Sequence, residues 1–161
     1  MKTTFKYLLL SISIIATTLV FTSCDSDNDG DTTPPVINLI SPAEEGILKI
    51  GDEHGMHLEM ELSDNEMLSS YKIEIHNDFD GHTHTKGLKA DETTPFSFQK
   101  SWDVSGKKNA TIHHHEIMIP ENATPGNYHL MVYCTDAAGN ETYVARDIVL
   151  SHDAEDDDHD H

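Results

Sequence analysis

Twelve histidines in 161 residues are the groups in this chain best suited to chemistry, and two pairs of them are spaced to act together. Neutral imidazole binds Zn²⁺ at about 2.0–2.1 Å and also suits Cu²⁺ and Ni²⁺. His82-Thr83-His84 and His113-His114-His115 each place two rings one residue apart. On an extended strand, His113 and His115 share a face at a spacing of roughly 6.6 Å, short enough for both rings to reach one ion. Asp78, Asp80 and other nearby carboxylates can accept the second ring N–H and fix its tautomer. Two bland alternatives stand beside this reading. The histidines can equally be read as exposed decoration on a polar face, or as a surface that responds to pH, since imidazole titrates near neutrality.

Other chemistries are poorly represented. The chain holds no GxSxG, no HExxH and no glycine-rich phosphate loop. Cys134 has core-facing parity and reads as a small core residue rather than a reactive thiol. A metal-dependent hydrolase needs an open coordination position and a base in a pocket, and a small sandwich offers few deep pockets. Binding rather than catalysis is therefore expected. Turnover that vanished with His82→Ala or His115→Ala would reverse that view.

The elements that must position these histidines are short strands. From Pro34 onward, alternating runs are separated by turn residues, the pattern of an all-β sandwich. Residues 36–40 read as an edge strand bracketed by Pro34, Pro35 and Pro42. Met56, Leu58, Met60 and Leu62 alternate with His57, Glu59 and Glu61, and Tyr71, Ile73 and Ile75 alternate with Lys72, Glu74 and His76. Phe96, Phe98 and Trp102 lie in a middle strand, and residues 110–119 form another. Tyr128, Leu130, Val132 and Cys134 alternate with His129, Met131 and Tyr133, and a last strand runs from about Glu141 to Leu150. About seven strands result, with no helical period.

Parity puts His57, His76 and His129 on outward faces. It gives His113 and His115 the parity of Ile117 and Ile119, which read as inward. In an immunoglobulin-like topology, His54, His57, His76, His82, His84 and His129 gather at one end of the sandwich, and the strand bearing His113 starts at the other. The metal-ligand candidates are thus His57, His76, His82, His84, His113, His115 and His129, in one site or two.

The ends of the chain point to export. Lys2 and Lys6 precede an apolar run from Tyr7 to Phe21, about the length of a signal h-region and too interrupted by Ser and Thr for a comfortable span. The run ends Val20-Phe21-Thr22-Ser23-Cys24, which resembles the lipobox of bacterial lipoproteins. That resemblance implies cleavage after residue 23 and lipidation of Cys24, an anchor that buries acyl methylenes at roughly 0.8 kcal/mol each. Cleavage would remove two lysines and no acid, deepening the net charge from −19 to −21. A surface so acidic repels nucleic acid and attracts cations. With Cys24 lipidated, Cys134 would have no partner for an intrachain disulfide, despite an oxidising destination.

Residues 24–33 then read as the lipidated cysteine and a solvated acidic tether, residues 34–151 as the sandwich, and residues 152–161 as a disordered His/Asp-rich tail. Asp25, Asp27, Asp29 and Gly30 imitate the start of an EF-hand loop, but the closing acid falls at Val36, so the match fails. Acids directly after the cysteine are similar to surface-export signals of some Gram-negative lipoproteins. The outer membrane, on its periplasmic or cell-surface face, is the location this implies.

Pro125-Gly126-Asn127-Tyr128-His129-Leu130 followed by Thr135-Asp136-Ala137-Ala138-Gly139-Asn140 resembles bacterial immunoglobulin-like and cadherin-like modules, closely over about 25 residues. There the same pattern makes the penultimate strand and the hairpin into the last. Asp64-Asn65-Glu66 and Asp136 with Asn140 could ligate Ca²⁺ as cadherin-like relatives do, but turn formation is the simpler reading. The whole chain resembles a family of uncharacterised histidine-rich bacterial lipoproteins carrying one such domain, which implies location and fold but no chemistry.

Two functions follow as expectations. The first is capture, buffering or delivery of Zn²⁺, Cu²⁺ or Ni²⁺ at the envelope, with an envelope transporter as the conceivable recipient; Ca²⁺ is less favoured. The second is a surface module that contacts protein or glycan through outward Met131, Tyr133 and Tyr143.

Overall fold

The computed structural model describes residues 30–78 and 93–154. They form eight strands: β1 (Val36–Ser41), β2 (Gly46–Lys49), β3 (Met56–Ser63), β4 (Leu68–Asn77), β5 (Phe98–Asp103), β6 (Asn109–Ile117), β7 (Gly126–Asp136) and β8 (Glu141–Ser151). There is no helix among the described residues. Alternation explains the long strands directly. Met56, Leu58, Met60 and Leu62 of β3 are buried, as are Tyr71, Ile73 and Ile75 of β4 and Tyr128, Leu130, Val132 and Cys134 of β7. Each fully buried aliphatic side chain contributes about 1.5–3 kcal/mol relative to exposure. These rows face one another across one core.

The strands form two packed sheets, ordered β1-β3-β6 and β2-β8-β7-β4-β5. This is a β-sandwich with the strand arrangement of immunoglobulin-like domains. The chain crosses from the first sheet to the second at Pro42, which follows a cis peptide bond, so β1 pairs antiparallel with β3 while β2 pairs parallel with β8. β2 is the strand beyond the expected seven. Four residues, Gly46-Ile47-Leu48-Lys49, carry too little alternation to announce it. β5 lies at the edge of its sheet, next to β4 alone, which corrects its expected middle position.

Tyr128 pins the entry to β7. Its hydroxyl donates to the Thr124 carbonyl at 2.7 Å and accepts from the Phe96 amide at 3.1 Å, the geometry of a tyrosine corner. Cys134 is fully buried and unoxidised. Burial, with Asp64, Asp136 and Glu141 adding to it, pushes its thiol up to about 11, consistent with a core residue.

One irregularity decides where the histidines point. Along β6, Ala110, Ile112 and His114 pair with Leu62, Met60 and Leu58, but Met56 then pairs with Ile117. β6 therefore uses three residues where β3 uses two. This is a β-bulge, and it reverses the side-chain alternation beyond it. Ala110 and Ile117 are both buried although their separation is odd. His113 and His115 consequently lie on the outer face of the three-stranded sheet. The expectation that they share the inward parity of Ile117 and Ile119 is corrected by this single extra residue.

Candidate metal centre

The outer face of β3 and β6 brings three imidazoles together. His57, on the outward parity of β3, lies with its ring centroid 4.9 Å from that of His113 and 4.9 Å from that of His115. His113 and His115 are 5.7 Å apart, centroid to centroid. The two β6 rings cover His57, which is only 9% exposed despite facing away from the core. One nitrogen from each ring falls within 4.8 Å of the other two. A tetrahedral zinc site holds its nitrogens about 3.3 Å apart, so the rings must draw together by up to about 1.5 Å to close on an ion.

Local interactions orient this set. His115 Nδ1 lies 3.4 Å from the Gly55 carbonyl, a contact in which the ring N–H donates and the lone pair stays on Nε2. Glu59 follows on the same face of β3, its Oε2 3.8 Å from His57 Nε2, where a carboxylate can hold a ligand ring in place. Ser41 Oγ donates to the His57 carbonyl at 3.3 Å, tying the end of β1 to this point. Gly55 permits the approach of the two segments, as its φ of 81° and its fit against the His115 carbonyl leave no space for a side chain.

The other candidates go elsewhere. His76 and His129 sit directly opposite one another on β4 and β7, with ring centroids 5.5 Å apart. These strands belong to the five-stranded sheet and β3 to the other, and the group of ring nitrogens that includes His57 contains neither His76 nor His129. His129 is flanked by carboxylates instead: Nδ1 lies 2.8 Å from Asp147 Oδ1, and Nε2 lies 3.3 Å from Asp78 Oδ1. Both ring nitrogens thus lie within reach of carboxylate oxygens. His54 is exposed in the turn before β3, where its amide donates to Asp52. His82, His84 and Cys24 lie outside the described residues.

Sequence reasoning missed His114. It occupies inward parity at the seam of the sandwich, with Nε2 3.2 Å from the Tyr71 hydroxyl and its ring 5.1 Å from Trp102. Trp102 stacks on Tyr71 at 4.9 Å and donates to Glu116, which also pairs with Lys100. The Glu116 amide donates to His114 Nδ1 at 3.4 Å, a contact that favours the neutral ring with its proton on Nε2. Burial holds His114 below the usual imidazole range; Lys100, His115 and His113 add to this and Glu116 opposes it. A depressed folded value means that the unfolded chain takes up the proton first. The stabilisation is complete above the unfolded value of about 6.5 and is lost as pH falls through the folded one. Melting temperature should fall between pH 7.5 and 5, and the fall should be shallower in His114→Phe. Equal slopes in parallel melts of the two proteins would refute this role.

Fold and cluster together define a β-sandwich that carries three histidines on the outside of its smaller sheet. The chain belongs to a family described as a domain of unknown function, DUF4625, whose model matches residues 22–151. No curated protein matches it. The resemblance to uncharacterised lipoproteins is thereby met only at the level of an uncharacterised family.

Proposed function

We propose that this protein binds a divalent transition metal at the cell envelope, to capture, buffer or pass on the ion, through His57, His113 and His115. The carrying observation is the mutual approach of the three ring nitrogens to within 4.8 Å. A donor set made only of imidazole nitrogens favours Zn²⁺, Cu²⁺ or Ni²⁺ over hard, oxygen-seeking cations. Three protein ligands leave coordination positions for water or for a donor on a recipient protein, which suits an ion that must be handed on. The net charge of −19 draws cations toward the surface. Lipidation of Cys24 would hold the domain at the membrane, and we read the protein as a binder rather than an enzyme.

The test uses untagged protein lacking residues 152–161, so that neither tag nor tail histidines contribute. Metal content of the purified domain should approach one ion per chain. In thermal melts, a saturating metal at one hundred times its dissociation constant adds about 2.7 kcal/mol. Absence of any shift with Zn²⁺, Cu²⁺ and Ni²⁺ would remove the proposal.

A second reading rests on the other sheet. Tyr143 is 62% exposed beside Tyr133, with ring centroids 5.8 Å apart, and Lys72 sits over the Tyr133 ring. An aromatic and cationic surface of this kind suits contact with protein or glycan. Loss of surface binding in Tyr143→Ala, with metal response intact, would favour it.

A further inference from the structure

A second cluster lies where the chain enters the sandwich. Asp31 precedes β1, Asp64 follows β3, and Asp136 ends β7. One carboxylate oxygen from each lies within 4.8 Å of the other two. Three oxygens at that limit would sit about 2.8 Å from a common centre, against a Ca²⁺–oxygen bond of roughly 2.4 Å, so an inward shift of a few tenths of an ångström closes them on an ion.

The hydrogen bonding of the three carboxylates is uneven in an informative way. Asp64 Oδ1 accepts from the amides of Glu66 and Met67 at 2.8 and 2.7 Å. Asp31 Oδ1 accepts from the Thr33 amide and from Asn65 Nδ2, both at 3.0 Å. Asp136 is 2% exposed, and Asn140 donates to both of its oxygens. The second oxygens of Asp31 and Asp64 are also buried, yet no donor reaches either. Among the described residues, no lysine, arginine or histidine pairs with any of the three acids; the nearby Lys108 ammonium donates to the Asn65 carbonyl instead. Two buried anionic oxygens without donors beside a third buried carboxylate are costly unless a cation compensates them.

We propose that Asp31, Asp64 and Asp136 bind one Ca²⁺ ion, which fastens the segment before β1 to the end of the sandwich. The donors are all oxygen, the choice of a hard cation. Mg²⁺ demands shorter bonds of about 2.0–2.1 Å and retains several waters, so it fits this spread less well. The Asp31 carbonyl accepts from Asn140 Nδ2 at 2.9 Å, so the ion and the Asn140 side chain hold the same residue. The site shares no residue with the histidine cluster, and either can fail alone.

The experiment uses full-length, untagged protein in detergent micelles, first stripped with EGTA. Addition of about 10 mM Ca²⁺, above the ~10⁻⁴–10⁻³ M range of extracellular sites, should raise the melting temperature by roughly 5–10 °C. Amide exchange at residues 31–33 should slow at least tenfold. Asp31→Asn should melt in EGTA no lower than the wild type, since one of three mutually repelling charges is gone, and should lose most of the Ca²⁺ gain. Asp64→Asn should behave alike, and His57→Ala should keep the full gain. A wild-type chain indifferent to Ca²⁺ overturns the proposal, as does an Asp31→Asn protein with undiminished response.

Discussion

On the proposed metal binding, His57→Ala should abolish the metal-dependent rise in melting temperature, whereas His76→Ala or His129→Ala should leave it intact. His57 is the ring that both β6 histidines touch, at 4.9 Å each, so its removal leaves His113 and His115 as a pair alone. Two ligands on one strand bind an ion far more weakly than three across two strands, and the full ~2.7 kcal/mol gain expected at one hundred times the dissociation constant should disappear. His57 is also nearly buried, so the variant loses roughly 2 kcal/mol without metal. The decisive quantity is therefore the difference between melts with and without metal within each variant. His113→Ala supplies the cleaner comparison, because that ring is exposed and its loss costs the fold little. Retention of the full metal gain in both variants would move the site elsewhere. A gain that falls in His129→Ala instead would point to the five-stranded sheet.

Gly55→Ala should lower stability by about 3 kcal/mol and weaken metal binding together. At φ 81° any side chain is strained, a cost of roughly 1–3 kcal/mol. The added Cβ would also overlap the His115 carbonyl and press on Met118 Sδ and the Ile117 carbonyl. Backbone cannot yield as the far end of a flexible side chain can, so β6 must shift away from β3 at the bulge. That shift carries His115 off, since its ring is held by the Gly55 carbonyl. Chemical denaturation and metal titration of the same variant measure both effects. A destabilised protein with unchanged metal affinity would show that the bulge does not position the cluster.

Much of the architecture was readable from alternation, and the failures share a cause. β3 and β7 each carry four apolar residues at a spacing of two and β4 carries three, and burial confirms each of those rows. Where the backbone departs from regular pairing, parity misleads. His113 and His115 lie four and two residues before Ile117, and simple counting turns them inward. The bulge opposite His57 makes the count wrong by one, and nothing in His113-His114-His115-Glu116 announces it. The same error concealed His114, which fills an aromatic seam in place of an apolar residue.

Long-range placement was less legible still. His57 was recognised as an outward residue, but its partners depend on which strand neighbours β3, and residue types do not encode that choice. Asp31 sits in a stretch so rich in Asp and Thr that composition alone assigns it to a solvated tether. Its docking depends on Asn65 and Asn140, residues 34 and 109 positions away. No local window contains that information.

The split of the first strand at Pro42 has a mechanical consequence. Because β2 runs parallel to β8, pairing Gly46 with Ile148 through Lys49 with Ser151, tension between the two ends of the domain pulls these neighbours in opposite directions along their length. Their hydrogen bonds are then loaded in shear and must break together, whereas an antiparallel hairpin pulled open at its end unzips bond by bond. A domain moored at one end and drawn at the other would resist through this four-residue clamp after β1 had peeled away.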